Sequence, residues 1–83
     1  MMQVVVWSKY HCPYCEQAVA VLKQRGIPFE ERKIGDGFTK EELLEAVPNA
    51  RSVPQIVING TSIGGYNELL TYIQNNLEPQ STF

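Results

Sequence analysis

The short β-branched run from Gln3 to Trp7 stands directly ahead of a helical pattern, and a second extended stretch follows that helix. The run is long enough for a buried strand and too short for a helix. After Cys12-Pro13-Tyr14-Cys15, apolar residues recur at Ala18, Val19 and Leu22, and Gly26 is placed to end the segment as a C-terminal cap. A helix therefore begins at the cysteines. Ile27-Pro28-Phe29 returns the chain to extended form, and Phe29 to Ile34 reads as a second strand. Two strands joined through a helix pair in parallel by a right-handed crossover, so the chain opens as a βαβ unit with Gln3 to Trp7 as its central strand.

The remainder completes the layers that such a unit needs. Thr39 followed by Glu42 matches a capping box, and Leu43, Leu44 and Val47 supply an apolar stripe for a helix from Thr39 to Val47. Gln55 to Asn59 and Thr61 to Ile63 flank Asn59-Gly60, a pair that readily takes the positive φ angles of a tight hairpin. Beyond Gly64-Gly65, the residues Leu69, Leu70, Ile73 and Leu77 return to helical spacing. The expected architecture is α/β, a mixed four-stranded sheet flanked by three helices that bury its faces. Neither an internal repeat nor a low-complexity linker divides the chain, so residues 1–77 read as one domain and Glu78-Pro79-Gln80-Ser81-Thr82-Phe83 as a loose tail.

Composition excludes several functions. With 83 residues, a formal charge of -2 and no run of Lys or Arg, the chain offers phosphate backbones no broad attraction, and nucleic acid is not expected as a partner. Apolar runs such as Val4-Val5-Val6-Trp7 fall far short of the roughly 20 residues that cross a bilayer. Met1-Met2-Gln3 does not begin a signal-peptide pattern, which makes a cytoplasmic location the expectation.

In a reducing compartment, two cysteines this close are catalytic or metal-binding, because a Cys12–Cys15 bridge closes too small a loop to staple a scaffold. Residues three apart on a first helical turn come within the Cα separation of about 4.4 to 6.8 Å that a disulfide demands. At a helix N-terminus, free amides and the positive dipole end favour the Cys12 thiolate, which makes Cys12 the nucleophile. Cys15, one turn in and less exposed, suits resolution of a mixed disulfide. Pro13 fits the first helical position, where its missing N–H has no partner to lose. The competing zinc reading requires four ligands, but there is no second CxxC and His11 is the only histidine, so redox chemistry is the stronger reading and no metal is expected.

Lys9 ahead of Cys12-Pro13-Tyr14-Cys15, then Ser52-Val53-Pro54-Gln55, then Ile63-Gly64-Gly65-Tyr66-Asn67 are three landmarks in one order. With them the chain resembles the dithiol glutaredoxins of the thioredoxin-like fold from Val4 through about Leu77. The resemblance implies a mixed four-stranded sheet with three helices, and glutathione-dependent reduction of disulfides and glutathionylated thiols, with glutathione as co-substrate and no tightly bound cofactor. It implies that Lys9 pairs with a glutathione carboxylate, although a lone exposed Lys is more often merely solvated. It makes Val53-Pro54 a cis-proline site whose backbone holds the peptide part of glutathione like an added strand, where a plain reading is a strand-start proline.

Gly65, Tyr66 and Asn67 are implied at the glutamyl end, with the following helix offering amides to its carboxylate; a plain strand-to-helix turn is the alternative. Asn67 stands where the family usually has an acidic residue, and it keeps an acceptor oxygen while losing the charge. Tyr14 reads as a rim contact beside the sulfur, Trp7 as core, and Arg51 and Gln17 as solvated surface.

The mechanism expected on this basis has Cys12 attack a glutathione mixed disulfide and keep the glutathione, which a second glutathione removes; with other disulfides, Cys15 closes the Cys12–Cys15 bridge. Expected partners are glutathione and disulfide-containing or glutathionylated proteins, ribonucleotide reductase being a reasonable candidate acceptor, with the protein a monomer. Two rivals share these residues: a redoxin recycled by thioredoxin reductase, and a module in which Cys12 from two chains and two glutathione thiols bridge an iron–sulfur cluster. Lys9 and Gly64-Gly65 argue against the first, and the stiffness of Pro13 argues against the second.

Overall fold

The computed structural model describes residues 2–77; the expected tail from Glu78 to Phe83 lies outside the described residues. One sheet of four strands forms in the order β2-β1-β3-β4. Strand β1 (Val4–Lys9) pairs in parallel with β2 (Glu30–Ile34) and antiparallel with β3 (Gln55–Ile58), which pairs antiparallel with β4 (Thr61–Gly64). The expected central position of the first strand and the mixed sheet are both present. Strand β1 continues past Trp7 because the parallel register runs on through Ser8↔Lys33 to Lys9↔Ile34, so pairing rather than hydrophobicity fixes its end.

Helix α1 (Pro13–Gln24) connects β1 to β2, and helix α2 (Lys40–Ala46) precedes β3. Helix α3 (Tyr66–Tyr72) follows β4 and passes into a π-helical segment, Ile73–Leu77. Alternation along β1 assigns the helices to faces. Val4 and Val6 join Ala18, Leu22, Leu69 and Ile73 of α1, α3 and the π segment in one core, whereas Trp7, with Val5 against it, packs with Leu43 and Val47 beside α2 in the other. Each face of the sheet is thereby covered, as a strand with apolar residues on both sides requires.

The local signals act where the sequence places them. Thr39 Oγ1 accepts from the Glu42 N–H (3.1 Å) and the Glu42 carboxylate accepts from the Thr39 N–H (2.8 Å), completing the capping box. At the end of α1, Gly26 has φ +68, and the N–H groups of Gly26 and Ile27 return to the Lys23 and Leu22 carbonyls (3.1 and 2.9 Å) as a Schellman motif. Asn59 and Gly60 take φ of +52 and +82, the left-handed pair of a tight hairpin. Asn59 also clips the edge of β1, its Oδ1 accepting from the Gln3 N–H and its N–H donating to the Gln3 carbonyl (both 2.8 Å).

Candidate active site

Register brings three distant segments to one end of the sheet. Because Trp7 opposes Gln55, the residues that leave β1 toward the cysteines lie beside those that enter β3, Ser52 to Pro54. Because Ile56 opposes Gly64, the exit of β4 lies next to them. The end so formed holds Cys12-Pro13-Tyr14-Cys15, Val53-Pro54 and Gly65-Tyr66.

Cys12 and Cys15 form a disulfide with a Cα separation of 5.2 Å. Cys12 is the N-cap of α1, and its Sγ accepts from the Cys15 N–H at 3.2 Å, while Pro13 occupies the first turn. A side chain that caps a helix normally offers oxygen to an orphan amide; here sulfur takes that place, at the positive end of a helix of 12 residues. Both sulfur-bearing residues are buried, Cys12 at 6% exposure and Cys15 at 2%.

The Val53–Pro54 peptide is cis, as expected, and the Val53 carbonyl oxygen lies 3.8 Å from Cys12 Sγ. Opposite, a Cβ on Gly65 would stand 3.4 Å from the Pro54 carbonyl oxygen, so the smallness of Gly65 lets the start of α3 approach the cis-proline segment. The rings of Tyr14 and Tyr66 lie 6.0 Å apart and tilted by 37°, and Tyr14 is 61% exposed, which puts this aromatic on the rim rather than in the core. Trp7, by contrast, is buried in the α2-side core and makes an edge contact with Phe38.

Lys9 is exposed at the end of β1 and lines a cleft of about 460 Å³ shared with Val53. Asn67 is exposed on the first turn of α3 and lines a different groove with Ile63, Glu68 and Thr71, apart from the cleft that Lys9 and Val53 share. The expectation of open amides at the start of α3 meets one occupant: Glu68 Oε1 accepts from the Gly65 N–H at 2.9 Å. Glu68 is thus a carboxylate at this helix end that the spacing of apolar residues did not single out. A Glu three residues beyond the Gly was the available signal.

The loop between β1 and Cys12 is held from outside. His11 takes φ +57, Tyr10 Oη donates to Asp36 Oδ2 at 2.7 Å, and the Lys33 ammonium lies 4.5 Å from the Tyr10 ring centre. The hydrogen bond to Asp36, with some burial and the Asp36 charge, raises the Tyr10 phenol above its usual 10.0. Ser8, fully buried under this loop's strand, is satisfied by Glu31, to whose Oε2 its hydroxyl donates at 2.8 Å.

Residues 4–63 match the family model named Glutaredoxin. Glutaredoxin 3 of Escherichia coli strain K12 is 36% identical over 69 residues, 83% of each chain. Among solved structures, glutaredoxin 1 from Francisella tularensis, complexed with cacodylate, superposes with a TM-score of 0.79 at 27% identity, over 93% of this chain and 98% of its own. A buckwheat glutaredoxin–glutathione complex does so with a TM-score of 0.74 at 25% identity, over 87% of this chain and 68% of its own.

Proposed function

This chain belongs to the glutaredoxin family, and from that premise we infer that it is a glutathione-dependent thiol–disulfide oxidoreductase working through Cys12 and Cys15. The observation that carries the reading is the capping geometry: a sulfur at the N-cap of α1, receiving the Cys15 N–H at 3.2 Å, bonded to the cysteine one turn in. That arrangement stabilises a thiolate on Cys12 and keeps its resolving partner within bonding reach.

In the reaction, the Cys12 thiolate attacks one sulfur of the substrate disulfide, a Cys12–S–S bond forms, and the other sulfur leaves as a thiolate that takes a proton from solvent. With a glutathionylated substrate the glutathione stays on Cys12, and the thiolate of a second glutathione attacks it, releasing oxidised glutathione and reduced Cys12. With other disulfides the Cys15 thiolate attacks Cys12 and expels the bound thiol, leaving the Cys12–Cys15 disulfide, which two glutathiones reduce. The first route consumes one free glutathione, the other half of the oxidised glutathione coming from the substrate; the second consumes two, which together supply two electrons to the substrate disulfide.

In the same proposal the Val53 backbone, beyond the cis-Pro54 bond, receives the peptide part of glutathione, and Lys9 meets a carboxylate from the cleft side. Tyr14 and Tyr66 flank the sulfur, and Gly65, Tyr66 and Asn67 form the wall for the glutamyl end, with Asn67 offering an amide instead of a charge. Disulfide-containing or glutathionylated proteins are the acceptors, ribonucleotide reductase a candidate among them, and the protein acts as a monomer in the cytoplasm. Among the described residues no helix is long and apolar enough to cross a membrane.

The test is reduction of a glutathionylated model thiol by purified protein with glutathione, glutathione reductase and NADPH. Wild type should turn over and Cys12→Ser should not; Cys15→Ser should keep substantial deglutathionylation and lose most dithiol-type reduction. An inactive wild type overturns the reading, and recycling by thioredoxin reductase alone would replace the electron donor.

A further inference from the structure

Tyr10 and His11 alone join the last residue of β1 to the Cys12 N-cap, and both are constrained. His11 turns through φ +57, in the left-handed region that a residue with a Cβ enters only at a cost. Tyr10 Oη donates to Asp36 Oδ2 at 2.7 Å, across 26 residues of sequence. The acceptor is itself fixed. Asp36 lies between Gly35 (φ +88) and Gly37 (φ +96), its N–H donates to the Lys33 carbonyl (3.0 Å), and the Gly35 N–H donates to the Phe38 carbonyl (2.9 Å). The loop after β2 thus closes on itself and holds the carboxylate out toward Tyr10.

Strand β2 grips the same stretch of chain a second time. The Ser8 hydroxyl donates to Glu31 Oε2 at 2.8 Å, and the Lys33 ammonium stands 4.0 Å from that oxygen and 4.5 Å from the Tyr10 ring centre. Burial does not account for Tyr10, which is 52% exposed and belongs to neither core cluster. A half-exposed ring outside the core adds little to stability, so what its hydroxyl fixes is position. Because the bond to Asp36 raises the phenol above its usual 10.0, the donor proton is present throughout the neutral range.

Position matters at the next residue. Cys12 caps α1 with φ -120 and ψ 98, which sets its Sγ 3.2 Å from the Cys15 N–H, and a rotation at His11 would swing the sulfur off that amide. We propose that Tyr10 is a positioning residue: its hydroxyl, tied to Asp36, holds the left-handed turn at His11 and so keeps the Cys12 sulfur on the Cys15 amide, where it is stabilised as a thiolate. The proposal rests on the reading of Cys12 as nucleophile. The titratable groups on the elements that meet at that sulfur are Lys9 and His11 ahead of it, Cys15 and Glu16 in the first turn of α1, Arg51 ahead of Val53 and Glu68 on α3. Tyr10→Phe alters none of them and removes no charge at neutral pH.

The experiment is the pH profile of Cys12 alkylation by iodoacetamide in the fully reduced protein, counted at Cys12 by peptide mass. Only the thiolate reacts, so the profile reports its stabilisation. Tyr10→Phe keeps the ring over Lys33 and deletes the hydroxyl. It should slow alkylation about fivefold near pH 6, the factor one ordinary hydrogen bond contributes to an equilibrium, and the rates should converge near pH 9, where both thiols are ionised. In an Asp36→Ala background, where no bond is left to lose, Tyr10→Phe should cause no further slowing, whatever the loss of the Asp36 charge does by itself. Asn59→Ala, which releases the opposite end of β1, should destabilise the protein and leave the profile unchanged.

An unchanged profile in Tyr10→Phe overturns the proposal, as does an equal slowing in the Asp36→Ala background, which would mean that the hydroxyl acts without Asp36. A slowing that persists near pH 9 assigns the effect to access rather than to the thiolate, and a matching slowing in Asn59→Ala assigns it to lost stability; either result also overturns it. If Cys12 of the wild type titrates at the unperturbed thiol value of about 8.5, the reading of Cys12 as an activated nucleophile has itself failed, and the positioning role falls with it.

Discussion

Gly64 is the position where a single added carbon should do most to the site without touching a cysteine. It takes φ +116, and a Cβ built there would stand 2.7 Å from Glu68 Cγ and 3.0 Å from its Cβ, well inside the roughly 3.5 to 4.0 Å of a normal carbon contact. Two effects add. Holding a residue with a Cβ at such a φ costs about 1 to 3 kcal/mol. Glu68 must also swing away and release the Gly65 N–H, a cap whose loss costs about 1 kcal/mol. Gly64→Ala should therefore destabilise the protein by about 2 to 4 kcal/mol, a large part of the roughly 5 to 15 kcal/mol that holds a small domain together. Urea unfolding of wild type, Gly64→Ala, Glu68→Ala and the double variant gives both numbers. Glu68→Ala alone should lose about 1 kcal/mol, and in its background the glycine substitution should cost about 1 kcal/mol less, since no cap remains to be lost. A Gly64→Ala effect below about 1 kcal/mol that simply adds to that of Glu68→Ala would refute the reasoning.

Leu22, 1% exposed between β1 and α3, should lose about 2 to 5 kcal/mol on Leu22→Ala, read as a lower urea midpoint at unchanged slope. Thr39→Ala removes the hydroxyl half of the α2 capping box and should cost about 0.5 to 2 kcal/mol in the same assay. Asp36→Asn removes the charged acceptor that raises the Tyr10 phenol, so the phenolate absorbance of Tyr10 should develop at lower pH than in wild type. The sign follows from the raised value: the bond favours the protonated ring, and the folded state gains from it below the usual 10.0 and loses that gain as pH rises through the shifted value.

How far the chain could be read in advance depends on whether a feature is written in neighbouring residues. The turn at Asn59-Gly60, the capping box at Thr39 and Glu42, the Gly26 cap and the helix start at Cys12-Pro13 are all local, and each stands within a residue of its expected place. The end of β1 at Lys9 is set instead by its partner β2, and the burial of Ser8 by a carboxylate at Glu31, neither of which a hydrophobic pattern contains. The same division runs through the site. The cysteines and the cis-Pro54 segment are short motifs, while Glu68 reaches back to Gly65, and Lys40 meets Arg51 and Lys9, only because α2 and the Val53 loop pack at the β1 end. Arg51, which reads in isolation as one more solvated surface charge, becomes a wall of the cleft beside Cys12 once β3 is paired with β1. The exchange chemistry is therefore written in the four residues from Cys12 to Cys15, whereas the cleft that Lys9, Lys40, Arg51 and Val53 line exists only after folding.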